Sequence, residues 1–233
     1  MILDEITDNK RINLPQLGRF NNQLVRQKPT LITELKLKSP THPESFASNY
    51  QDVLDDYKQA GISTISVVTD QKYFGSDISM VAVARKQGFI VLRKDFIIHP
   101  SQLAEVYSEA VLLIARVVEP DMLRRLVDLS LELGVEPVVE IHSEAELDAV
   151  YSTKASVIAV NTRDLDKQEI DFDQGLALLR QIDDKYLKLL FSGIDSRAQI
   201  EQARQADANG VLVGTSVLSA PDRVAKIKEL RHE

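Results

Sequence analysis

A chain of 233 residues that is 44% hydrophobic and 27% charged holds enough apolar material for a sizeable core, and its length suits one α/β barrel as well as two smaller domains. A net charge of −7 and a pI near 5.2 argue against a nucleic-acid binder while leaving room for a local positive pocket around a small anion. The absence of cysteine excludes disulfides, a thiolate nucleophile and Cys-bound zinc.

Four scattered histidines, His42, His99, His142 and His232, show no ligand spacing, so neither a metal nor an organic cofactor is expected, and none is assigned a catalytic role. No stretch approaches the ~20 apolar residues that span a bilayer. The opening Met1-Ile2-Leu3-Asp4-Glu5 lacks the basic start of a signal peptide. A cytoplasmic protein without membrane or nucleic-acid partners is the expectation.

Residues 1–29, with Ile2, Ile6, Leu14, Leu17 and Leu24 among polar residues, read as a helical extension packed against the main body. From residue 30 onward, short β-branched runs alternate with amphipathic segments. Eight strands are predicted at 31–36, 63–68, 89–93, 110–115, 136–140, 156–160, 187–191 and 209–213. Several are apolar almost throughout, as in Ala110-Val-Leu-Leu-Ile-Ala115, which suits parallel strands covered on both faces. Helices are predicted at 45–60, 77–87, 100–108, 120–133, 144–151, 173–183, 196–206 and 220–231, with Ser143 and Ser196 as N-caps and Gly134 ending the fourth. Eight β/α units, without a Gly-x-Gly-x-x-Gly fingerprint, predict a (β/α)8 TIM barrel forming a single domain over residues 1–233.

In such a barrel the chemistry sits at the C-terminal ends of the strands. Glu34 and Lys36 stand two apart in Leu31-Ile32-Thr33-Glu34-Leu35-Lys36, so both face one side of a strand. The same rule selects Ser39, Lys94, Phe96, Glu140, Asn161 and Arg163. Two lysines and two carboxylates at one mouth suit acid–base catalysis, with desolvation or neighbouring cations lowering a lysine's proton affinity. A ring of structural ion pairs is the alternative for any one of them. Ser192-Gly193 after strand 7 and Gly214-Thr215 after strand 8 would let backbone N–H groups approach a phosphate. Phe74 and Phe96 would line an apolar slot for a planar group.

These residues, in this order, resemble the indole-3-glycerol phosphate synthase family of tryptophan biosynthesis. The matching stretches are Glu34-Leu-Lys36-Leu-Lys-Ser39-Pro40, Leu92-Arg-Lys94-Asp-Phe96, Val139-Glu140-Ile-His142, Asn161-Thr-Arg163-Asp-Leu165 and Val211-Leu-Val-Gly214. The resemblance implies a cofactor-free lyase that converts 1-(2-carboxyphenylamino)-1-deoxyribulose 5-phosphate to indole-3-glycerol phosphate by decarboxylation and dehydration. It implies Lys94 as general acid on the substrate carbonyl and Glu140 opposite it for proton transfer and departure of the hydroxyl. Lys36, oriented by Glu34, would contact the substrate carboxylate or phosphate side and stands as a second candidate acid, the resemblance leaving open which lysine serves which proton transfer. Asn161 would hold a substrate hydroxyl or position Glu140. Phe74, Phe96, Leu113 and Leu165 would enclose the anthranilate ring, with Arg163 also on the substrate. Ser192, Gly193, Gly214 and Thr215 would cradle the phosphate. A monomer is expected, associating at most with other enzymes of the tryptophan pathway.

The chain departs from the family in three places. Phe191 stands where the family carries a glutamate at the end of strand 7, which predicts lower lysine pKa values for want of a counter-charge. Thr41-His42-Pro43 replaces a Ser-Lys-Gly-like loop, and the links into strands 1 and 4 are short. Phe191 therefore keeps two alternatives open: another phosphosugar-handling barrel enzyme, or a barrel that binds a phosphorylated ligand without turnover.

Overall fold

The computed structural model describes residues 18–26, 28–40, 44–164 and 167–231. Eight parallel strands close a barrel in sequence order: β1 (Thr30–Leu35), β2 (Thr64–Val68), β3 (Ile90–Lys94), β4 (Ala110–Ile114), β5 (Glu136–Ile141), β6 (Val157–Asn161), β7 (Leu187–Phe191) and β8 (Gly210–Val213). The last joins the first through Thr30↔Gly210 and Leu31↔Val211. Each predicted strand is present with its ends within one residue, because a (β/α)8 strand is apolar on both faces and its limits show as abrupt changes in polarity.

Side chains that alternate along the strands separate into two cores. Ile32, Leu92, Leu112, Val138, Ala159, Leu189, Phe191 and Leu212 fill the barrel interior, whereas Leu35, Val67, Val91, Leu113, Val139, Val160, Leu190 and Val211 pack beneath the helices. Of the predicted N-terminal extension, residues 1–17 lie outside the described residues, and helix Arg19–Arg26 plugs the bottom of the barrel. Phe20 and Leu24 on it are fully buried among interior residues.

The helices deviate from expectation at their ends. The segment predicted from 45 becomes helical at Tyr50, where the Asn49 side chain accepts the Gln51 N–H. Residues 100–108 hold only a 3₁₀ turn, Pro100–Ala104, and the final helix starts at Arg223. Ser196 caps Arg197–Gln205 through a capping box with Gln199. Ser143 does not cap; its hydroxyl donates to Glu146. Gly134 has φ +72° after helix Pro120–Glu132, as a C-terminal glycine should. The short helix Gln71–Phe74, capped by Asp70, falls in what read as a loop, being too brief to carry a period.

Candidate active site

The strands' C-terminal ends surround a cavity of ≈ 950 Å³. Glu34, Lys36, Ser39, Phe74, Lys94, Phe96, Glu140, Asn161, Arg163, Ser192, Gly193, Gly214 and Thr215 all line it, so the sequence rule brings together residues from six strand ends and the loops between. Leu165 lies outside the described residues, as does the Thr41-His42-Pro43 loop.

Glu34 is the electrostatic centre. Its Oε1 accepts from Lys36 Nζ at 2.6 Å and its Oε2 from Lys94 Nζ at 3.1 Å, which bridges β1 to β3. Burial pushes the Glu34 carboxyl up, but the two ammonium groups win and hold it at about 2. Lys36 also donates to Thr215 Oγ1 at 3.3 Å, tying the end of β1 to the short helix Thr215–Leu218 that follows β8. From outside the barrel, the buried Tyr57 hydroxyl donates to the Glu34 backbone carbonyl at 2.7 Å and fixes the strand end. Tyr57 belongs to a helix and carries no sequence signal for this role.

Lys94 overturns the expectation of a depressed lysine. Burial lowers its proton affinity, yet Glu34 and Glu140 outweigh burial and hold the pKa above the ordinary lysine value. Lys94 is held charged although β7 ends in Phe191 rather than a carboxylate. Phe191 is fully buried in the barrel interior with its ring 5.5 Å from Lys94 Nζ, an apolar floor beneath the ammonium group. Arg93, one residue earlier, points the other way and is locked by Asp95 and Glu105.

Across the mouth, Asn161 Nδ2 donates to Glu140 Oε1 at 3.1 Å, while Glu140 Oε2 is buried with no hydrogen-bond partner among the described residues. Asn161 Oδ1 in turn accepts the Arg163 N–H, so one amide sets both the carboxylate and the start of the next loop. A carboxylate with one oxygen held and the other unclaimed is suited to exchanging a proton with a guest.

The loop ends after β7 and β8 differ in kind. Ser192 and Gly193 both have φ +70°, a backbone reversal at the rim. A Cβ at Gly193 would stand 2.7 Å from Ile170. A Cβ at Gly214 would stand 2.7 Å from Glu34 Oε1, so the close approach of the Glu34 carboxylate favours glycine here, a reason beyond any anion.

Leu113, expected against the aromatic ring, does not reach the cavity. Leu113 is fully buried under the helices on the outer side of β4; its neighbours Leu112 and Ile114 face the cavity. In a strand a slip of one residue reverses the side chain, and an all-apolar strand offers nothing to fix the phase. Arg116, just past β4, also lines the cavity and was missed, although it follows an apolar run as Lys94 does.

A barrel whose mouth gathers two lysines and two carboxylates defines a (β/α)8 protein with an ionisable mouth suited to acid–base chemistry. The indole-3-glycerol phosphate synthase family profile matches residues 3–230. The chain is 33% identical over 221 residues to an indole-3-glycerol phosphate synthase of Leuconostoc mesenteroides, covering 92% of this chain and 84% of that protein. It is 36% identical over 214 residues to one of Thermococcus kodakarensis, with 88% and 92% covered. It is also 33% identical to part of a multifunctional tryptophan biosynthesis protein of Schizosaccharomyces pombe, covering 93% of this chain and 30% of that protein. The chain belongs to the indole-3-glycerol phosphate synthase family. Among solved structures, a 3-hexulose-6-phosphate synthase from Salmonella typhimurium superposes with TM-score 0.69 at 16% identity, over 87% of this chain and 97% of that one, a likeness of fold alone.

Proposed function

We propose that this protein is an indole-3-glycerol phosphate synthase, closing the indole ring of 1-(2-carboxyphenylamino)-1-deoxyribulose 5-phosphate with loss of carbon dioxide and water. The observation that carries the reading is the meeting of Lys36, Lys94, Glu34 and Glu140 in one cavity within a chain that belongs to this family. Neither alternative suggested by Phe191 is favoured, since the family profile and the Leuconostoc and Thermococcus relatives are all of this synthase.

The reaction needs a bond from the carboxylated ring carbon to the ketone carbon, a proton on the ketone oxygen, rupture of the ring–carboxylate bond, then departure of the hydroxyl as water with loss of a proton from the adjacent CH2. Lys94 is the general acid for the ketone oxygen. It lies between the carboxylates of Glu34 and Glu140, which keep it charged, and its side chain is 22% exposed to the cavity. Lys36, held by Glu34 and Thr215, is the anchor for the substrate carboxylate. Glu140, oriented by Asn161, handles the proton of the CH2 and the leaving hydroxyl. Phe74, Phe96, Leu112 and Ile114 make the slot for the aromatic ring, with Arg163 beside it. Ser39, Ser192, Gly193, Gly214 and Thr215 form the phosphate rim.

Among the described residues no helix is long and apolar enough to cross a membrane. We place the enzyme in the cytoplasm, acting as a monomer on a small phosphorylated substrate, alone or beside other enzymes of the same pathway. Indole fluorescence appearing from the carboxyphenylamino substrate tests the reading, and Lys94→Ala should lower its rate by about 10²–10⁴-fold. A mutant as fast as wild type would remove Lys94 from its role, and an inert wild type would remove the synthase assignment.

A further inference from the structure

Beside the active-site cavity, and sharing Arg116, Asn161 and Ile170 with it, lies a second cavity of ≈ 620 Å³, lined also by His142 and Glu146. His142 stands between it and the active site. Its side chain is 9% exposed, and both ring nitrogens are buried without a hydrogen-bond partner among the described residues. Nε2 is 3.5 Å from Glu140 Oε1 and Nδ1 is 4.0 Å from Glu146 Oε2. Glu146 is fixed in that position, accepting the His142 backbone N–H at 3.0 Å and the Ser143 hydroxyl at 3.2 Å. A carboxylate, an imidazole and a second, partly exposed carboxylate thus form a row from the active site to the second cavity.

Such a row answers a requirement of the chemistry. In the synthase reaction a carboxylate leaves as neutral carbon dioxide, so two protons enter, on the ketone oxygen and on the departing hydroxyl, while one is taken from the CH2. One proton is imported per turnover. The bound substrate occupies the mouth, so a route that avoids the mouth is useful. An imidazole is suited to that route because its two nitrogens accept on one side and donate on the other.

Resting on the synthase reading, we propose that His142 is a proton-relay residue behind Glu140, carrying protons between the active-site carboxylate and the second cavity. It touches no substrate and acts through Glu140. Glu140 and Glu146, from its own strand and the following turn, stand beside its ring, and Arg116, Asp164, Lys167, Glu169 and Asp171 are the other charged residues lining the cavity it borders.

The test uses His142→Asn in the full chain. Its kcat should fall by about 10-fold, less than the ~10²–10⁴-fold attached to an acid–base group itself, with KM unchanged. Its kcat should also depend on pH differently from wild type, and added imidazole, small enough for the second cavity, should restore part of the rate. A variant as fast as wild type at every pH, or one uniformly slowed and indifferent to imidazole, overturns the relay. If the wild type makes no indole product, the synthase reading fails, and the relay is then decided by nuclear magnetic resonance of the His142 ring. Ring signals that move in Glu140→Gln keep the contact, and unmoved signals overturn it.

Discussion

Glu34 of β1 reaches Lys94 of β3 at 3.1 Å while its other oxygen holds Lys36 at 2.6 Å, so a single buried carboxylate orders both ammonium groups of the mouth.

Glu34→Gln should cost about 3 kcal/mol of stability at neutral pH, from the depression of its carboxyl to about 2. A depressed carboxyl contributes stability that is fully present above its unfolded value of 4.5 and is lost as pH falls towards 2. Denaturant unfolding of both proteins across that window should show the difference shrinking; a constant difference would contradict the ion-pair account. Lys94, raised by Glu34 and Glu140, should lose part of that elevation, so the alkaline limb of the kcat profile should move to lower pH in the variant.

Gly214→Ala places a methyl group 2.7 Å from Glu34 Oε1. The carboxylate must yield, at a cost of about 1–3 kcal/mol, and misplacing the lysines it orders should lower kcat by about 10²-fold. Thermal unfolding and steady-state kinetics check the two effects separately. Unchanged kcat would mean that Glu34 has another way to sit.

Leu112 and Leu113 are neighbours on β4 with opposite duties. Leu112→Ala should raise KM by roughly 10-fold, since it removes part of the aromatic slot. Leu113→Ala should leave KM alone while costing about 2–5 kcal/mol, as buried leucines under helices do. Equal effects on KM would show the strand phase to be wrong.

Phe191→Leu keeps the interior apolar but removes the ring face beneath Lys94. Stability should drop by about 0.5–2 kcal/mol. Because Glu34 still fixes Lys94, kcat should change by no more than about 10-fold, or 1.4 kcal/mol. A larger loss of rate would make the ring itself part of lysine positioning.

Strand limits were legible because each strand of a closed, helix-covered barrel is a short apolar run bounded by polar residues, and the charges that end those runs, Glu34, Lys36, Lys94 and Glu140, announced the mouth. Arg116 obeyed the same rule and was legible, though missed. Leu113 shows what periodicity leaves open: a wholly apolar strand has no polar face to mark which residues point inward.

Pairings across the barrel belong to another level. That Lys94 stays protonated follows from two carboxylates brought to it by β1 and β5, remote in sequence and fixed only when the strands close. Gly214 answers to Glu34, Tyr57 holds the Glu34 backbone from a helix, and His142 stands beside Glu140 with its nitrogens unclaimed. The sequence by itself determined which elements form and which residues end them, because those depend on local polarity and spacing. Tertiary structure decided which charges meet and at what proton affinity, because Coulomb energies depend on distance and burial that no local pattern encodes.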